Sequence, residues 1–594
     1  HEKLGFFEIH VDVKPGVDAA VAGKAMDEIV DDFLKNGPTP SEVQRAQMQM
    51  VGDKIKALES VSGQSAELAS GALYHDNPGY VLTRLHAVAT ATPEEIRKAA
   101  AKWLSRPALT IIINPGPRPP YTEAAPAKIN PAADTPIPPT PGTEDRNTPP
   151  PVEALAKMTF PAIERTTLNN GIPVYFARRN AIPVVNIDLD FDAGYAADST
   201  DAIGTQGFML NMLREGTTSR TATQFAKDSE TYGASLNTAG NMDRSDIGLI
   251  AFTPNLEASL DLMADVALHP AFTAADVERV RSQRLTAIAA ESKEPQAPAA
   301  KALLQALYGP GHPYGRANSG LGEPGVVKAL SPTQLRIDYS LWLRPDNAKI
   351  FVVGDTTLAA IKPLLNARFG HWHVDTSGAQ IKHIAAVPPA TAHILLVDHP
   401  GAPQSFIIVG HVLNLTGKDD LLNLRTANEA LGASFLSRIN ADLRETKGWA
   451  YYSGAAIADR EHQTFYEELA PVQADKTGAA IGEILSQIRG FVGTKPITAE
   501  ETTRFTTAYI RALPGEFERS SAVMSALRNI ILLDRPDDYY VSLPARFTAM
   551  TPATLEAAAR ANIHPDQLVI SIAGDAKAVQ PQVSNLGLPV EIVK

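Results

Sequence analysis

Apolar and polar residues alternate through IPVVNIDLDFDAG, residues 182–194, the period-2 pattern of a strand with one face on a core and the other toward water. Just before it, ERTTLNNGIPVYFARR (164–179) sets an Asn-Gly pair between two runs rich in β-branched and aromatic residues, which predicts a hairpin. The period then lengthens. TATQFAKDSETYG, NLEASLDLMADVALHP and TAADVERVRSQRLTAIAAESK each return apolar residues every three or four positions, as amphipathic helices do, and Thr273 stands as the N-cap candidate of the third. NAKIFVVGD at 347–355 is again strand-like and ends one unit; LVISIAGD at 568–575 ends the next. Hairpins, then paired helices, then a closing strand predict an α+β fold of repeated domains, each an antiparallel sheet covered by helices on one face.

The pattern also repeats over a long distance. KNGPTPSEVQRAQMQMVGDKIKALE at 35–59 corresponds to TKPITAEETTRFTTAYIRALPGEFE at 494–518, and residues 77–116 correspond to 536–575. The offset, 458 to 459 residues, places His1 opposite Asp459. Residues 1–118 therefore read as the rear part of a domain whose fuller copy is 386–594. Between the two lies 156–385, a second domain type, preceded by a linker at 119–155. That linker belongs to a wider proline-rich stretch, Pro115 to Pro151, which holds 13 of the 45 prolines and cannot form a packed core. The front of the first copy is expected on an upstream portion held tightly against this chain, since strands without partners leave backbone groups unpaired.

Composition narrows the function classes. A chain of 594 residues is too long for one core at about 150 residues per domain. The net charge of -12, with no Lys/Arg run, argues against a nucleic-acid partner, and no apolar run is long enough for a membrane span. There is no cysteine, which removes disulfides, thiolate metal sites and a cysteine nucleophile and fits a bacterial exported or periplasmic protein. The first residue is His1 and no signal-peptide pattern follows, so a processed upstream segment is expected.

GTQGFMLNMLREGT, residues 204–217, has glycine turns at both ends and an apolar body in which Phe208, Met209, Met212 and Leu213 keep helix-packing spacing. It resembles the segment around the His-x-x-Glu-His zinc motif of the pitrilysin/insulinase-like metallopeptidases. The downstream helix 275–316 resembles the one that carries that family's third ligand, and GASFLSRINADLRETKGWAYYSGA (432–455) resembles its Arg/Tyr segment. The resemblance covers essentially the whole chain outside the linker and implies a clamshell of two halves, of which this chain is the rear. Matched residue by residue, the two His positions fall on Gly207 and Asn211, the Glu base on Leu210 and the third ligand on Ala287. None suits zinc, so the resemblance implies a degenerate domain whose frame is kept for packing, with the zinc bound by the partner amino-terminal portion.

Arg444 and Tyr451 match the family's pair at its seven-residue spacing, with Gly448 between them to turn the chain from helix into strand. The resemblance implies that they reach the partner's zinc site and hydrogen-bond the oxyanion of a peptide undergoing cleavage. The plainer reading is a surface Arg paired with Glu445 or Asp442. Strand alternation would turn Tyr452 the other way. Three other features read as structural: His371 and His373, in i, i+2 strand register but without a third ligand nearby; His312, a loop-stabilising residue; and the EELA run at 467–470, a solvated strand edge or loop. Two functions stay open. One is the non-zinc component of a zinc endopeptidase acting on peptides or unfolded segments, inactive alone; the other is a catalytically inactive binding or scaffold subunit of the same fold.

Overall fold

The computed structural model describes residues 5–14, 16–114, 116, 157–374 and 379–593. The linker expected at 119–155 and the position of His1 lie outside the described residues. By its internal contacts the chain divides into two units, residues 1–44 with 86–157, and residues 45–85 with 158–594.

In the first unit, the helix Ala19–Asn36 starts at Asp18, whose carboxylate accepts from the Ala20 N–H. The helix Pro93–Trp103 starts at a capping box in which Thr92 and Glu95 satisfy each other's backbone N–H groups. The segments 5–14 and 107–114 are not paired into strands, and both expose apolar residues, Phe6, Phe7, Leu109 and Ile113 among them.

The second unit holds two six-stranded sheets. The first comprises β1 (Ile163–Thr167), β2 (Pro173–Arg178), β3 (Val184–Phe191), β4 (Ser235–Gly240), β5 (Ser245–Phe252) and β6 (Ala348–Gly354), in the order β1-β2-β6-β3-β5-β4. β1 and β2 are the expected hairpin, turning at Gly171 with φ +93°, a conformation that glycine adopts without a Cβ penalty. Most pairs are antiparallel; β2 and β6 run parallel, so the strand that closes the unit in sequence lies inside the sheet. The second sheet comprises β7 (Ile394–Asp398), β8 (Gln404–Thr416), β9 (Gly454–Ile457), β10 (Gln463–Gln473), β11 (Val569–Gly574) and β12 (Val590–Val593), in the order β12-β7-β11-β8-β10-β9. Here β7 runs parallel to both β11 and β12.

Each sheet carries helices over an apolar face. Ile187, Leu189, Ile247, Leu249 and Ile350 of the first sheet form one core with Leu260 and Met263 of the helix Leu256–Leu268. Ile407, Val409, Ile570 and Ile572 of the second form another with Ile481, Ile484 and Ile488 of the helix Thr477–Val492. The helix Ala274–Glu291 begins where its sequence predicts, with the Thr273 hydroxyl accepting from the Asp276 N–H.

Two strand expectations change. The alternation in β3 predicts a solvated face, yet Asp190 is fully buried, because the helix Ser520–Leu532 covers that face and supplies Arg528. The EELA run is not a solvated edge: it lies in β10, between β8 and β9, and Glu468 is fully buried.

The long-range repeat is visible helix by helix. Pro40–Ala57, Val61–His75, Tyr80–Thr90 and Pro93–Trp103 match Ala499–Glu516, Ser520–Leu532, Tyr539–Thr548 and Pro552–Asn562 at the same offset of 459 between their first residues. At that offset 5–14 corresponds to the β10 region and 107–114 to the β11 region; in the second copy both strands pair with β8.

Candidate functional site

Two places carry chemistry-bearing residues. The first is the helix Thr205–Met212. Its start is held by Asp198, whose carboxylate accepts from the N–H groups of Gly204 (2.6 Å) and Gln206 (2.8 Å). Burial pushes the Asp198 carboxyl up to about 6, although both N–H groups favour its charged form. Phe208, Met209, Leu210, Met212 and Leu213 are all buried in the first sheet's core, which explains why the helix keeps its frame.

At the positions matched to zinc ligands the chain has built something else. The guanidinium of Arg284, from the helix Ala274–Glu291, enters the space beside Gly207 and donates through Nη1 to Asn211 Oδ1 (2.7 Å) and through Nε to the Leu321 carbonyl (2.8 Å). Its Nη2 donates to the carbonyls of Gly320 and Gly204. A Cβ at Gly207 would collide with Arg284 Nη2 and the Gly320 carbonyl, so no larger side chain fits there. Burial lowers the Arg284 guanidinium to about 10, still charged at neutral pH. Gly207 and Ala287 offer no side-chain donor atom, Leu210 no base, and a cation lies among them: these residues do not fit zinc. Among the described residues no group of three or more His, Cys, Asp or Glu could hold a metal ion.

The second place is the Arg/Tyr segment. Arg444 lies on a π-helical turn, Ala441–Thr446, and the chain leaves it through Gly448 at φ +65°. Its guanidinium stacks over two rings, 4.5 Å from the Phe435 centroid and 5.2 Å from that of Tyr451. It also pairs with Glu445 at 3.3 Å, the plainer arrangement weighed from sequence; the ring contacts coexist with that ion pair. Tyr451 and Tyr452 stand on a loop between the single bridge at Ala450 and β9, not on a strand. Alternation therefore does not separate them, and both are exposed, Tyr451 at 80% and Tyr452 at 44%. Phe435 and Leu436 are exposed too, so Arg444 sits within a patch of accessible rings.

His371 and His373 follow the helix Leu358–Phe369 in irregular chain, so strand register does not align them, while Trp372 between them packs edge-on against Phe191. His312 holds its loop as expected: Nδ1 accepts from the Tyr314 N–H at 3.1 Å, and the ring stacks on Tyr308. Sequence reasoning missed Arg284 and Arg528. The only local signal was an arginine on an otherwise core-facing helix stripe, a pattern that a surface arginine also gives.

Known proteins resemble this chain in sequence and fold. Residues 174–317 match the family model described as insulinase, peptidase family M16, and residues 329–508 match the peptidase M16 inactive domain. An uncharacterized zinc protease of Mycobacterium leprae is 26% identical over 336 residues, 55% of this chain and 73% of that protein. A non-peptidase homolog of Helicobacter pylori is 22% identical over 282 residues, 47% of this chain and 63% of that protein. The crystal structure of a peptidase M16 inactive domain from Pseudomonas fluorescens superposes with a TM-score of 0.64 at 19% identity, covering 70% of this chain and 98% of that one. The two adjoining matches, and the paired sheets they span, show that the chain belongs to the insulinase-like peptidase family M16 and carries that family's inactive domain.

Proposed function

We propose that this chain is the non-zinc component of a clamshell endopeptidase acting on peptides or unfolded segments, and that it supplies Arg444 and Tyr451 to the active site of a zinc-bearing amino-terminal portion. The observation that carries the reading is the stacking of Arg444 between Phe435 and an exposed Tyr451, a cation and a phenol held side by side. A guanidinium N–H and a phenol O–H donate well to an oxygen gaining charge in a tetrahedral intermediate. The exposed rings around them suit the side chains of an extended peptide. The zinc and the general base belong to the partner portion; this chain's own residues orient and hydrogen-bond the substrate.

The segments 5–14 and 107–114, which form no strand, support such a partner. Their counterparts β10 and β11 both pair with β8, and a strand equivalent to β8 contributed by the partner would pair both segments and cover Phe7, Leu109 and Ile113. An exported, periplasmic location fits the cysteine-free composition and is tested by cell fractionation.

Co-purification of the chain with its upstream portion, zinc analysis and peptide hydrolysis test the proposal. About one zinc per pair, hydrolysis by the pair and none by this chain alone are expected. A pair that assembles but holds no zinc and cleaves nothing would instead support a scaffold or binding subunit, the reading favoured by the name of the Helicobacter pylori relative.

A further inference from the structure

Asn211 and Ala287, two of the residues matched to zinc ligands, border a cavity of about 500 Å³, lined also by Arg214, Glu215, Gln283 and Arg284 among others. Its charge is unusual. Glu215 is engaged by Arg279, and Arg279 also pairs with Asp276. Arg284 is more than nine-tenths buried; Asp198 and Glu291 attract it from a distance, but among the described residues no carboxylate lies within ion-pair distance of it. Its four acceptors are all neutral: Asn211 Oδ1 and the carbonyls of Leu321, Gly320 and Gly204. A guanidinium has five N–H bonds, so one on Nη1 is left over. A buried cation with no carboxylate in contact is costly, and an anion at the free N–H offsets that cost.

We propose that the degenerate metal position is a carboxylate-binding site, in which Arg284, with the amide of Asn211 and the exposed Arg214 at the rim, holds the carboxylate of a short peptide. The cation has taken the place of the metal and reverses what the position binds: a zinc ion gathers anionic and neutral ligands from the protein, whereas a fixed guanidinium seeks an anion from outside. The cavity has room for one or two residues of peptide behind the carboxylate. Arginine suits this role because its planar fork meets a carboxylate with directed N–H donors. The inference does not depend on the oxyanion role of Arg444 and Tyr451, nor on a zinc-bearing partner.

The test is binding of fluorescein-labelled tetra-alanine peptides to the full 594-residue chain, followed by anisotropy. The free-acid peptide is expected to bind at least about tenfold tighter than its C-terminal amide, the loss expected for one charge-assisted contact. An amidated peptide with an internal aspartate distinguishes the source: binding equal to the free acid makes an acidic side chain the ligand, and weaker binding makes it the chain terminus. Ala287→Glu puts a carboxylate one helical turn from Arg284 and is expected to lower binding about tenfold or more without removing the arginine. Arg214→Gln, at the exposed rim, is expected to lower it several-fold. Equal binding of free acid and amidated tetra-alanine, with none to the aspartate peptide, overturns the proposal, as does undiminished binding by Ala287→Glu.

Discussion

Arg528 and Asp190, 338 positions apart in the chain, join the helix Ser520–Leu532 to the first sheet: the Arg528 Nη2 donates to Asp190 Oδ2 at 2.7 Å. The same guanidinium donates through Nη1 to Asp188 Oδ2 at 2.9 Å and lies 3.5 Å from Asp246. Asp190 accepts in turn from Arg244 Nε at 2.9 Å. The cluster is largely buried between that helix and the first sheet, and burial pushes Asp246 up to about 6 even beside Arg528. Around it Val523, Met524 and Leu527 of the same helix pack on Phe351 and Val353 of β6.

Removing Arg528 therefore takes the cation from Asp188 and Asp246 and leaves Asp190 with Arg244. Arg528→Met, which keeps most of the side-chain volume, is expected to cost about 3 to 5 kcal/mol of stability, the usual loss when one partner of a buried pair is removed. Urea unfolding at pH 7 measures it. A loss below about 1 kcal/mol would mean that water already neutralises the cluster.

The Arg/Tyr pair makes a kinetic prediction. In the complex with the zinc-bearing portion, Arg444→Ala and Tyr451→Phe are each expected to lower kcat for peptide hydrolysis by roughly 10² to 10³, with zinc content and assembly unchanged. Tyr452→Phe is expected to change it little, because the Arg444 guanidinium stacks on Tyr451. Full activity in both of the first two variants would reduce the pair to a wall of the chamber.

His411 predicts a pH dependence. It is fully buried on β8; Nε2 accepts from the His564 N–H at 3.2 Å and Nδ1 donates to the Val412 carbonyl at 2.9 Å, an arrangement that requires the neutral ring. Burial lowers its pKa from 6.5 to about 4, with the nearby His564 acting in the same direction and the Val412 carbonyl and Asp566 against it. The unfolded chain takes up the proton first, so the stabilising contribution is whole above pH 6.5 and is lost as pH falls toward 4, up to about 3 kcal/mol. The stability gap between the native chain and His411→Gln is expected to narrow between pH 7 and pH 4.5 in denaturant titrations. A gap that stays constant over that range would show that the folded ring takes up its proton at the same pH as the unfolded one.

The exposed segments make a prediction about association. Ile113 is 88% exposed and Ile111 73%, on an extended stretch without strand partners. The isolated chain is expected to self-associate with rising concentration, and Ile111→Asp with Ile113→Asp to reduce this while weakening capture of the upstream portion. Sedimentation velocity at several concentrations reads both. If the native chain stays monomeric throughout, these segments are not an unfilled interface.

The local patterns determined a good deal without help from the fold. The hairpin turning at Gly171, the Thr273 cap and the buried stripe of the helix Thr205–Met212 each depend on residues within one or two turns of each other. The repeat offset was equally legible, because matching helices keep matching caps and apolar spacings; so was the loss of zinc ligands, since Gly207 and Ala287 lack donor atoms in any fold. What tertiary structure decided was which faces meet. β3 reads as half solvated because nothing nearby in sequence shows that the helix Ser520–Leu532 will cover its aspartates. Glu468 reads as an edge residue until β9 joins β10, and Tyr451 reads as a strand residue until β9 begins three residues later. Arg284 reads as an ordinary helix arginine until the loop carrying Gly320 and Leu321 folds around it and places its charge among the residues matched to zinc ligands. In each case the deciding contact comes from a separate element of the fold, and a periodicity records only that a face is apolar or polar, not what will be laid against it.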